Sequence, residues 1–124
     1  MKKIAALGRI LFAIPFGILG LNHFLMKDYY LGLVTSFIPG LGFSIFLIGI
    51  FLMGVSISII LNKYIKISCL LLAGMLLIFI LTIHIPNLWV PAQKTIALIE
   101  LMKDTALMGA ALLIAGLADI KRKY

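Results

Sequence analysis

Long uncharged apolar stretches divide the chain into four segments, and each is close in length to a membrane-spanning helix. At a rise of 1.5 Å per residue, about 20 apolar residues cross a hydrocarbon core of about 30 Å. The pattern predicts four spans, over residues 4–25, 41–61, 65–85 and 98–118. We therefore predict an all-α integral membrane four-helix bundle that forms a single membrane domain over residues 1–124.

The connections between these spans differ in character. Residues 27–40 (KDYYLGLVTSFIPG) combine charges, tyrosines, glycines and a proline. Such a segment favours an interfacial or re-entrant connection between the first and second spans over a continuing helix. Residues 62–66 (NKYIK) are only long enough for a tight turn between antiparallel helices.

The fourth span is short of apolar residues. Its uncharged run, 105–118, has 14 residues and would cover only about 21 Å as a helix. To cross the membrane, the helix must also include Glu100, Lys103 and Asp104. We therefore expect these three charged side chains within its first turns, close to one interface.

Composition agrees with a membrane protein. The chain is 64% hydrophobic and 12% charged, with a mean hydropathy of +1.23, whereas soluble domains carry about 25% charged residues. These values exclude a water-soluble monomer and a disordered chain, and the short connections leave no separate catalytic or nucleic-acid-binding domain. The predicted environment is the lipid bilayer, with no nucleic-acid partner.

Basic residues fall unevenly on the two sides of the predicted bundle. Lys27, Lys94 and Lys103 lie on one side. The other side carries Lys2, Lys3, Arg9, Lys63, Lys66, Lys121, Arg122 and Lys123. The positive-inside rule then places both termini and the 62–66 turn in the cytoplasm, and the 26–40 and 86–98 connections outside. The chain shows no targeting sequence, which suits a multi-pass protein of the bacterial inner (cytoplasmic) membrane.

Polar residues gather at the predicted outer end of the bundle. Ionisable groups at membrane depth are costly unless they are paired or wetted, so they are the first candidates for function. In this topology the first span ends, the third span ends and the fourth span begins at the same depth. The candidate ligand-binding or proton-transfer residues there are Asn22, His23, His84, Asn87, Glu100, Lys103 and Asp104.

The fourth span carries the acidic part of this group. Glu100 and Asp104 are four residues apart and share one helix face, and Lys103 can pair with Glu100. A histidine between carboxylates and an amide can pass protons near neutral pH, so this end can hold a quinone carbonyl or a small oxidisable anion. The alternative is an interfacial rim of polar side chains that cap helix ends and anchor the bundle in lipid head groups.

Bound metals and haem are less favoured. His23 and His84 satisfy the minimum for bis-histidine haem ligation, but a haem at the rim would be incompletely buried. The sequence shows too few soft or charged ligands for a structural metal, so no metal site is predicted.

One ion pair is predicted at the opposite end. Arg9 lies fourteen residues before His23, which places both on nearly the same inward face of the first helix. Arg9 can then pair with Asp119 and fix the packing of the first and last spans. Alternatively, Arg9 extends to the interface and Asp119 is solvated.

Three sequence segments carry a resemblance to a known family. They are GRILFAIPFGILGLNHF (8–24), SFIPG (36–40) and LTIHIPN (81–87). Together with the glycine-bearing second span, they resemble the DoxX family of small four-helix bacterial membrane proteins. The resemblance covers nearly the whole chain. It implies a redox-associated membrane setting, since relatives include the small membrane subunit of a thiosulfate:quinone oxidoreductase, but it transfers no catalytic residue.

Three functions are consistent with these observations. The first is a redox-associated membrane subunit that binds a quinone or small ligand at the outer polar mouth, with a membrane or peripheral redox protein as partner. The second is a non-catalytic scaffold or assembly subunit whose small-residue faces on the second and fourth spans bind another membrane protein. The third and weakest is a small-solute transporter, which would require an oligomer because four helices enclose at best a narrow pore.

Overall fold

A computed structural model describes residues 1–33 and 41–123, and in these ranges the chain is helical with no strand. Its elements are α1 (Lys2–Leu25), α2 (Lys27–Leu33), α3 (Leu41–Ile60), α4 (Ile65–Phe79), a π-helical turn (Ile80–His84), α5 (Ile85–Asn87) and α6 (Lys94–Lys123). Four helical segments are long and apolar enough to cross a membrane: Lys2–Leu25, Gly42–Ile60, Ile65–Asn87 and Lys94–Ile120. These segments confirm the all-α class and the four predicted apolar helices.

The predicted interfacial or re-entrant connection is described only in part. Its first half forms the short helix α2, and residues 34–40 lie outside the described ranges. The fourth span begins at Lys94, so Glu100, Lys103 and Asp104 lie within the helix, as its short apolar run required.

Large apolar side chains cover the outside of the bundle. Leu11, Phe43, Ile67 and Leu113, one on each long helix, are all more than half exposed. In water such a surface would be strongly unfavourable, whereas lipid tails solvate it. The structure therefore supports a bilayer environment.

The long helices pack mainly as two antiparallel pairs. Helix α1 packs along α3, and α4 packs along α6, while α3 and α4 contact each other over a shorter length. The connection between the pairs is a tight turn, in which Asn62 and Tyr64 adopt left-handed backbone conformations with φ of 59° and 55°.

Small residues bring α1 and α3 together. A Cβ atom added to Gly20 would lie 2.8 Å from the Gly49 carbonyl oxygen, so the two backbones are in direct contact there. About two turns further along, Ser56 Oγ donates a buried hydrogen bond to the Ala13 carbonyl at 2.8 Å. Close backbone approach at glycines and side-chain hydrogen bonds between helices are the main stabilising contacts available in lipid.

The two residues of the predicted Arg9–Asp119 pair have other partners. The Arg9 guanidinium donates to the carbonyl oxygens of Ile59 and Ile60, the last residues of α3. It thereby adds a cationic donor to two carbonyls at the C-terminal end of α3, of which the Ile59 carbonyl also accepts the Asn62 N–H at 3.1 Å. Asp119 forms an ion pair with Lys66 at 2.7 Å. Contact between Arg9 and Asp119 themselves stays a prediction.

The buried core occupies the half of the bundle nearest Arg9, which we call the Arg9 end. It consists of Ala13, Phe16, Leu52, Val55, Ile59, Cys69, Leu72, Ala73, Leu76, Ala111 and Ala115. All four long helices contribute to it. The opposite half, which we call the His84 end, contains the polar residues.

The third span continues past its predicted end. The predicted third span ends at residue 85, directly before Pro86, but helical structure runs to Asn87. The preceding turn is π-helical, and Ile85 N–H donates to the Ile80 carbonyl five residues back. This wider turn relieves the ring clash that proline imposes on an α-helix.

Replacing Gly20 with alanine tests the close approach of α1 and α3. The added methyl group would meet the Gly49 carbonyl and the Met53 backbone nitrogen at 2.8 and 2.9 Å, and neither atom can rotate away. We expect a loss of about 1–3 kcal/mol in the free energy of unfolding, measured by SDS titration of the purified protein.

The matched control is Gly54→Ala, on the same pair of helices. A Cβ at Gly54 has no atom within 4 Å, so this change gains helix propensity without a clash and is expected to leave stability unchanged or raised. Equal destabilisation by the two substitutions would contradict the backbone contact.

Candidate functional site

The π-helical turn places His84 against α6. A π turn contains one more residue than an α-helical turn, and it therefore rotates the residues that follow it relative to the preceding helix. His84 is the last residue of this turn. Its side chain is 13% exposed and meets the first part of α6.

His84 and Asp104 form the central contact of the site. The His84 Nε2–H donates to Asp104 Oδ2 at 2.7 Å, and the aspartate side chain is 11% exposed. Both groups are largely shielded from water, and each supplies the other with a hydrogen-bond partner. The contact joins the end of the third span to the beginning of the fourth.

A second pair of charges lies beside this contact. Lys103 Nζ donates to Glu100 Oε1 at 2.9 Å, as the spacing of three residues predicts, and the lysine side chain is 57% exposed. Glu100 also lies one helical turn before Asp104. One ligand atom from each of His84, Glu100 and Asp104 lies within 4.8 Å of the others. The sequence indicated too few ligands for a metal, and the fold assembles three.

His23 comes from the other helix pair and stacks on Tyr30. Their ring centroids are 3.9 Å apart, and His23 Nδ1–H donates to the Leu19 carbonyl at 2.6 Å. Burial raises the pKa of the Tyr30 phenol above its usual value, and the nearby Tyr29 and Glu100 raise it further. The phenol therefore keeps its proton at neutral pH and can donate a hydrogen bond.

These groups line one partly open cavity of about 280 Å³ between the helix pairs. Its wall next to the core is apolar and includes Phe16, Leu52 and Leu76. Six of the seven predicted residues line it: His23, His84, Asn87, Glu100, Lys103 and Asp104. Asn22 is half-buried and does not line the cavity; its carbonyl accepts the Met26 N–H at 2.7 Å.

Three further polar residues line the cavity that the sequence did not single out as ligand-binding: Tyr29, Tyr30 and Gln93. Tyrosines close to the end of a span are typical of an interfacial aromatic belt. Both tyrosines come directly after the first span, and this position could have indicated that they lie close to His23 at its end. In the structure α2 folds back beside His23, and Tyr30 stacks on its ring. Gln93 lies just before α6, in a polar link whose path the sequence does not indicate.

The size of the cavity limits its ligand. About 280 Å³ is near the lower limit of pockets that hold drug-sized molecules. A single ring system with polar substituents fits this volume better than a haem macrocycle.

Comparison of the chain with protein-family models, curated proteins and solved structures finds no match. The resemblance to the DoxX family therefore stays a prediction from the three segments quoted above.

Proposed function

We propose that this chain is a redox-associated integral membrane protein that binds a quinone, or a similar small ring with oxygen substituents, in the cavity at the His84 end. The observation that carries the proposal is the shielded His84–Asp104 contact at the polar end of an otherwise apolar cavity. Such a combination of an apolar wall and a few convergent polar groups is typical of small-ligand sites.

The cavity offers both parts that a quinone ring requires. Apolar side chains of α1, α3 and α4 can contact the faces of the ring. Its carbonyl oxygens need hydrogen-bond donors, and the phenol of Tyr30, the amide of Asn87 and the ammonium of Lys103 line the same cavity. An isoprenoid tail can leave between the two helix pairs into lipid.

The acidic side of the cavity suits a ligand that gains or loses protons. The His84 Nε2–H donates to the Asp104 carboxylate on the cavity wall, so an imidazole proton lies beside the proposed ligand. Because Cys69 is the only cysteine in the chain, electrons would come from a membrane or peripheral partner protein, in keeping with the redox setting that the DoxX resemblance implies.

We also propose that the His84 end faces outwards and that both termini lie in the cytoplasm of a bacterium. The support is the distribution of basic residues, eight at the Arg9 end against three at the His84 end.

A scaffold function is the second candidate, and one observation favours it. On α6, Gly109 and Gly116 face open space with no atom within 4 Å of an added Cβ. Part of the predicted small-residue face of the second span is already used within the chain, since Gly49 contacts α1. The α6 face at Gly109 and Gly116 is open to packing against another membrane protein.

The orientation can be tested with a fluorescent protein fused to the C-terminus. Such a fusion folds and fluoresces in the cytoplasm, and an alkaline phosphatase fusion at the same position is active only outside it. We expect fluorescence without phosphatase activity. The reverse pattern would place the His84 end in the cytoplasm.

Quinone binding can be followed through Trp89, the single tryptophan, which lies two residues after α5 at the His84 end. We expect a short-tailed quinone to quench its fluorescence saturably in nanodiscs. Ala97 is buried and lines the cavity, so Ala97→Leu should fill the space and weaken binding at least about tenfold, which corresponds to about 1.4 kcal/mol.

The control is Ala106→Leu, which adds the same groups to an exposed position on the same helix. It should bind the quinone as the unsubstituted protein does. Equal and non-saturating quenching in all three proteins would show partition into lipid instead of a site, and would leave the scaffold function ahead.

A further inference from the structure

Potential metal ligands from two elements converge on one point of the cavity wall. The His84 ring and the carboxylates of Glu100 and Asp104 each offer an atom within 4.8 Å of the other two. One of these pairs, His84 Nε2 and Asp104 Oδ2, is 2.7 Å apart. Ligand atoms around a tetrahedral zinc ion at about 2.0 Å are separated by about 3.3 Å, so small side-chain rotations complete the arrangement.

We propose that His84, Glu100 and Asp104 bind one divalent first-row transition metal ion. The metal would replace the proton shared by His84 and Asp104 and bind the imidazole through Nε2. This inference goes beyond the proposed function and does not depend on it, because metal binding requires no organic ligand.

The charges of the cluster favour a dication. Glu100 and Asp104 lie four residues apart on one helix face, where like charges repel. The lysine at position 103 pairs with Glu100, and the closest partner of the more buried Asp104 is an imidazole. One divalent ion would neutralise both carboxylates at once, and the exposed lysine side chain is free to turn towards water.

The ligand types indicate the class of metal. Calcium and magnesium prefer oxygen ligands alone, whereas an imidazole with two carboxylates suits zinc, manganese or iron. Three protein ligands leave at least one coordination position, and here it would face the cavity. A water molecule or an oxygen of a bound ligand can occupy that position.

Zinc is the probe for the first test. The full-length protein, without a polyhistidine tag and without added quinone, is stripped with a chelator in detergent and titrated with zinc against a chromogenic competitor. We expect one zinc ion per chain. His84→Gln and Asp104→Asn should each weaken binding at least about tenfold, since even changes around metal ligands cost about 10–100-fold.

The matched control is Asp119→Asn, an acidic residue at the Arg9 end that pairs with Lys66. It should bind zinc as the unsubstituted protein does. Absence of zinc binding by the unsubstituted protein, or unchanged affinity in both His84→Gln and Asp104→Asn, would overturn the proposal.

A second variant avoids the risk that loss of the His84–Asp104 contact unfolds the protein. Lys103→Gln changes an exposed side chain and removes the cation that competes for Glu100. We expect zinc affinity to rise several-fold, because the Glu100 carboxylate no longer pairs with an ammonium group and its negative charge is available to the metal. An unchanged or lower affinity would overturn the assignment of Glu100 as a ligand.

X-ray absorption at the zinc edge identifies the donor atoms directly. We expect one imidazole nitrogen and oxygen donors at about 2.0–2.2 Å. A sulfur at about 2.3 Å would assign the metal to Cys69 and overturn the proposal. Because neither measurement includes quinone, failure here leaves the quinone experiment unaffected, and failure of quinone binding leaves this one unaffected.

Discussion

The hydrogen bond between His84 and Asp104 is the contact on which the polar end of this protein depends. A carboxylate and an imidazole are costly to place inside an apolar bundle unless each finds a partner. At 2.7 Å, with both side chains largely shielded, each supplies the partner that the other needs. The π-helical turn before Pro86 makes the contact geometrically accessible, because it rotates His84 onto α6 without ending the third span.

The cavity follows from how the two helix pairs are held. Gly20 and Gly49 draw α1 and α3 into backbone contact, and the His84–Asp104 contact draws the end of the third span onto α6. The pairs meet each other through the core at the Arg9 end, where all four helices contribute buried side chains. Towards the His84 end that shared core stops, and the space between the pairs remains open. Ligand and metal binding are both proposed at this opening.

Much of the fold was predictable from the sequence. Each helix that spans a bilayer needs about 20 consecutive, mainly apolar residues, and such stretches are visible in the hydropathy of the chain. The inclusion of Glu100, Lys103 and Asp104 in the last helix followed from length alone. The equal depth of the helix ends brought together six residues that line the cavity. Less local features were not predictable. Three such features are the π turn, the stacking of Tyr30 on His23 and the hydrogen bonds from Arg9 to the end of α3. They depend on side-chain rotamers and on packing between segments, and hydrophobic periodicity does not encode either of these.

The most direct test is to measure whether His84 and Asp104 are in contact when the protein is in a bilayer. Solid-state NMR on protein with ¹⁵N-labelled histidine and ¹³Cγ-labelled aspartate measures the dipolar coupling between the His84 ring and the Asp104 carboxylate in metal-free liposomes. We expect one strong coupling, which disappears in the Asp104→Asn protein and persists in the Asp119→Asn protein. Absence of that coupling in the unsubstituted protein would contradict the assembled polar end, and with it the cavity on which the proposed function rests.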